Sequence, residues 1–97
     1  MLFICITASA EVKIVNSTDI LLGVRLIEQG DRSKEVYKLI NPGMMAKVQT
    51  KSFITISAQL ITGSYEINCC EWLSVSDGRE LIISLSNQGK SCRCKLQ

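Results

Sequence analysis

Two adjacent cysteines, Cys69-Cys70, and two cysteines one residue apart, Cys92-Arg93-Cys94, constrain this chain more than any other feature. In a regular strand neighbouring side chains point to opposite faces, whereas residues two apart share one. A regular strand therefore cannot present both Cys69 and Cys70 to the face that carries Cys92 and Cys94. The apolar pattern suggests a solution. Tyr65, Ile67 and Cys69 have one parity and Trp72 has the other. A β-bulge at Cys69-Cys70 would shift the phase by one residue and let both sulfurs lean toward Cys92, Cys94 and Leu96. The expectation is two disulfides that join Cys69 and Cys70 to Cys92 and Cys94, in either pairing, because spacing does not give connectivity. Each would stabilise the fold by about 3 kcal/mol through loop entropy.

The rest of the chain reads as short alternating runs broken by turn residues. Val12 and Ile14 alternate with Lys13, then Ile20, Leu22, Val24 and Leu26 with the residues between them. Ile54, Ile56, Ala58 and Leu60 make the clearest period-two run, and Leu81, Ile83 and Leu85 make another. Lys34 to Ile40 is a strand of ambiguous parity, since Val36, Tyr37, Leu39 and Ile40 fall on both faces. Asn41-Pro42-Gly43 predicts a type II turn, with proline presetting φ and glycine accepting a positive φ after it. No stretch has sustained helical periodicity. The fold class expected is all-β, a small antiparallel β-sandwich of seven or eight strands, stapled by disulfides. Its expected core is Val12, Ile14, Leu22, Val24, Leu26, Ile54, Ile56, Ala58, Ile67, Leu81, Ile83 and Leu85. The strand count resembles that of an immunoglobulin-like sandwich, and the likeness is one of architecture only. Ile67 stands where that family places a tyrosine, two residues before a strand cysteine, and Trp72 follows the cysteines instead of preceding them.

The chain has 97 residues, which suits one domain. Residues 11–97 are expected to form that domain. Residues 1–10 look like part of a secretory signal: Leu2 to Ile6 is a short apolar core, and Ala8-Ser9-Ala10 fits small-x-small cleavage. A positive n-region is missing, so the competing reading is a first strand. Cleavage after Ala10 would remove Cys5 and leave four cysteines, the even number expected of an exported, cross-linked domain. The expected location is therefore secreted or periplasmic. No apolar run is long enough to span a bilayer. The net charge is +2 and the basic residues are scattered, which argues against nucleic acid. Lys90, Arg93 and Lys95 are the nearest thing to a patch and read as a solvated strand edge.

Catalysis has little to work with. The chain contains no histidine, the commonest general base and the usual partner of a nucleophile. No enzyme activity, cofactor or metal site is expected. The rival reading of the cysteines is a thiolate metal site or a redox-active vicinal disulfide. Adjacent cysteines chelate one ion poorly, however, and the usual C-x-x-C spacing is absent. Met44-Met45 reads as gap-filling packing ahead of a partner contact. Asn16-Ser17-Thr18 matches an N-glycosylation sequon in a polar turn, so Asn16 is a candidate acceptor. What remains is a non-enzymatic binding protein acting through a sheet surface or edge on a protein partner, such as a host-interaction or virulence factor, with self-association as a further option. The candidate surface is Leu21, Ile27, Phe53 and Ile82, apolar residues at positions that alternation would expose.

Overall fold

A computed structural model of the chain describes residues 11–28, 35–50, 53–86 and 89–97. It contains eight strands: β1 (Glu11–Asn16), β2 (Leu21–Glu28), β3 (Glu35–Ile40), β4 (Met45–Gln49), β5 (Phe53–Ile61), β6 (Glu66–Ser76), β7 (Glu80–Ser86) and β8 (Ser91–Leu96). They form two four-stranded sheets, ordered β4-β1-β7-β8 and β3-β2-β5-β6. The all-β, disulfide-stapled sandwich expected from the alternation is the architecture observed. It is not wholly antiparallel, because β1 and β7 run parallel, with Lys13 opposite Glu80 and Ile14 opposite Leu81. Alternation records which face a residue takes and carries no strand direction. The signal-like segment 1–10, with Cys5, lies outside the described residues.

The core follows from the alternation. Val12 and Ile14 of β1, Leu22, Val24 and Leu26 of β2, Ile54, Ile56 and Ala58 of β5, and Leu81 and Ile83 of β7 are buried. Each of the larger side chains contributes about 1.5–3 kcal/mol by leaving water. Ile67 and Leu85, also expected there, are partly buried against this cluster. Ile40, Val48, Leu60 and Val75 complete it.

Strand β6 carries two irregularities. Gln59 faces Asn68 and Ala58 faces Cys70, which leaves Cys69 as the extra residue of a bulge. Ile56 then faces Leu73, so Ser57 stands opposite both Glu71 and Trp72. Trp72 takes up this second excess with φ 52°, and its amide donates to Ser57 Oγ at 3.0 Å. Each bulge shifts the phase by one residue, which turns Ile67, Cys70 and Leu73 inward at intervals of three instead of two.

Candidate functional site

A two-layer sandwich has two open sides, where the edge strands of its sheets face each other. Here the two sides differ. On one, the edges are β6 and β8, and Cys69 is bonded to Cys92 and Cys70 to Cys94. The first bulge makes this geometry available, since it brings two consecutive cysteines within reach of β8. The bridges close the side covalently. Because the four sulfurs are bonded to one another, they offer no thiolate for a metal ion. Among the described residues no other cluster of His, Cys, Asp or Glu could hold one.

On the other side the edges are β3 and β4. They are joined by the turn Asn41–Met44, which has the expected type II form: Gly43 has φ 73°, and the Met44 amide donates to the Asn41 carbonyl at 3.0 Å. This crossover is pinned by Asn16. The Asn16 backbone accepts from the Gly43 amide and donates to the Met44 carbonyl, both at 2.9 Å. Its side-chain Nδ2 donates to the carbonyls of Ile20 and Ile40 at 2.8 and 2.9 Å. Its Oδ1 accepts from the amide and the hydroxyl of Thr18 at 3.1 and 2.6 Å. Asn16 is completely buried. It therefore cannot be the glycan acceptor that the sequon suggested: its carboxamide holds the ends of β1, β2 and β3 together, and no space is left for a sugar. The composition of the turn predicted exposure, but a satisfied buried amide overrides it.

Away from the crossover the two edges leave a cleft of about 230 Å³. Leu26, Val36, Val48 and Ile54 form its apolar walls, with Glu28 and Lys38 beside them. Strand β3 is exposed along almost its whole length, with only Ile40 buried. Val36 is 47% exposed, Tyr37 54% and Leu39 58%. This explains the ambiguous parity of the sequence: an edge strand whose inner face is only partly covered has no single dry face. Cross-strand partners share a face, so Val36 and Lys38, opposite the buried Leu26 and Val24, point toward the interior side. Glu35, Tyr37 and Leu39 point outward, and Glu35 pairs with Arg25 Nε at 2.7 Å.

Other expected site residues are placed differently. Leu21 and Ile27 are half-buried on the outer face of the β3-β2-β5-β6 sheet, but Ile82 is half-buried on the outer face of the other sheet. They cannot form one surface, because alternation along a strand does not say which sheet the strand joins. The side chain of Phe53 lies outside the described residues. Met44 and Met45 are exposed, at 58% and 47%, and do not fill the core. They flank the crossover on the open side. Arg93 and Lys95 are exposed together on β8, as a solvated edge requires, and Lys90 is exposed in the turn before it. Among the described residues no helix is long and apolar enough to cross a membrane. The β3 edge and its cleft form a candidate surface that the outward-facing set Leu21, Ile27, Phe53 and Ile82 does not include, although the double-sided apolar run in β3 was a signal for it. Comparison with models of known protein families, with curated proteins and with solved structures finds no match for this chain.

Proposed function

We propose that this protein is a non-enzymatic binding module of an oxidising, extracytoplasmic compartment, and that it captures an extended segment of a protein partner on the β3 edge. The observation that carries the reading is the contrast between the two open sides. One is closed by two disulfides. The other presents a six-residue edge with three large exposed apolar side chains beside an apolar cleft. An unpaired edge supplies main-chain donors and acceptors to an added strand, and neighbouring pockets select its alternate side chains. Two disulfides in a domain of this size are characteristic of proteins that fold outside the reducing cytosol.

The test is a selection of displayed random peptides on the oxidised protein, followed by a counter-screen against Val36→Asp/Leu39→Asp. Both positions are exposed, so the double variant should keep its far-UV circular dichroism spectrum. The selected peptides should lose binding to it. Undiminished binding by the variant would remove β3 as the binding surface.

A further inference from the structure

Strand β3 carries one charge that points the wrong way for a strand lying against a core. Lys38 stands opposite the buried Val24 and lines the cleft beside Val36. An inward-pointing charge on an edge strand is a common barrier to indiscriminate pairing, because an incoming strand must either face it or bury it. The barrier is chemical, so a carboxylate opposite Lys38 would turn it into an attraction.

A second copy of the chain cannot supply that carboxylate from its own β3. In a pairing that continues the sheet with its faces matched, the residue opposite Lys38 also points inward. On another β3 that residue is Val36, Lys38 or Ile40, because the only acid of the strand, Glu35, points outward. Every such register leaves Lys38 against an apolar residue or another lysine. Pairing of β3 with a second β3 is disfavoured and a different strand is called for.

Resting on the edge-binding reading above, we propose that the partner of β3 is an extended segment of another protein with an acidic residue opposite Lys38 and an apolar residue opposite Val36. For antiparallel addition the acid comes first and the apolar residue two positions later. The residue between them faces Tyr37, and the one before the acid faces Leu39; both face exposed apolar side chains. The apolar residue opposite Val36 enters the cleft between Leu26, Val48 and Ile54. The recognised pattern is therefore apolar–acidic–apolar–apolar in an extended chain, with the charge setting register and the cleft supplying apolar burial.

The experiment uses the oxidised protein and two end-blocked peptides, Thr-Val-Glu-Tyr-Leu-Lys-Thr and the same peptide with lysine in place of glutamate. Binding is followed by amide chemical shifts. The glutamate peptide should shift the β3 amides and bind about tenfold more tightly than its lysine counterpart. Lys38→Glu should reverse the preference. If both peptides shift β3 equally and Lys38→Glu changes neither, the charge rule is wrong while edge binding stands. If neither peptide shifts β3, both readings fall. If sedimentation shows a dimer that Leu39→Asp dissociates, the edge belongs to a second copy and the proposal is overturned.

Discussion

Removing the Asn16 carboxamide would take a donor from the buried carbonyl of Ile40 and the acceptor from the Thr18 amide, while the Ile20 carbonyl and the Thr18 hydroxyl keep their bond to each other. Buried polar groups left unpaired are expensive, so Asn16→Ala should lower the unfolding free energy by about 2–4 kcal/mol in urea titrations. It should also speed hydrogen exchange at the Gly43 amide, which donates to the Asn16 carbonyl. Gly23 shows a different dependence. The hydroxyl end of Tyr37 lies over the place where a Cβ would stand, and Ile61 Cδ1 is 2.9 Å from it. Gly23→Ala must push both aside, at a cost of about 1 kcal/mol. The cost should shrink when Tyr37→Ser is combined with it, which a double-mutant cycle would measure. Neither dependence was legible in the sequence. A turn asparagine and a strand glycine look ordinary until their neighbours from other strands are in place.

Strands show how far alternation carries. The faces of β2, β5 and β7 were legible because one side is dry and the other wet, and a period of two has only one solution in that case. Strand β6 was legible in part. Its cysteines required a phase shift, and the first bulge supplies it at Cys69. The second, at Glu71-Trp72, left no such mark, and Val75 was missed from the core for that reason. Trp72 holds a left-handed backbone conformation that disfavours side chains other than glycine. Trp72→Gly should therefore change stability by less than about 1 kcal/mol, since relief of the backbone offsets the packing lost from a ring that is already 57% exposed. Urea unfolding followed by circular dichroism would check this. In β3 no alternation could be read because both faces are largely wet, and the candidate site lies there for the same reason.

At the scale of the whole molecule, the closed and open sides separate stability from binding. The bridges span 23 and 24 residues. Replacing one pair, as in Cys69→Ser/Cys92→Ser, should cost about 3 kcal/mol and lower Tm accordingly. The same variant should bind a β3-directed peptide with unchanged affinity below its Tm, because β6 and β3 are opposite edges of one sheet. A parallel loss of affinity would show that the two sides are coupled through β2 and β5.

The parallel pairing of β1 with β7 sets the order in which the molecule can assemble. One sheet draws β1 from the start of the described chain and β7 and β8 from its end, so its centre cannot form until almost all of the sequence is present. The other sheet is made of sequence neighbours joined as hairpins, β2 with β3 and β5 with β6, and can begin earlier. A polypeptide emerging from a ribosome or a translocation pore would remain threadable until β7 arrives, because the sheet that locks the sandwich is the last to be completed. Long-range pairing of this kind is slow, and existing cross-links shorten the search. The oxidised chain should accordingly refold faster than the reduced one in stopped-flow dilution from denaturant, and equal rates would mean that β6 and β8 meet only after the rate-limiting step.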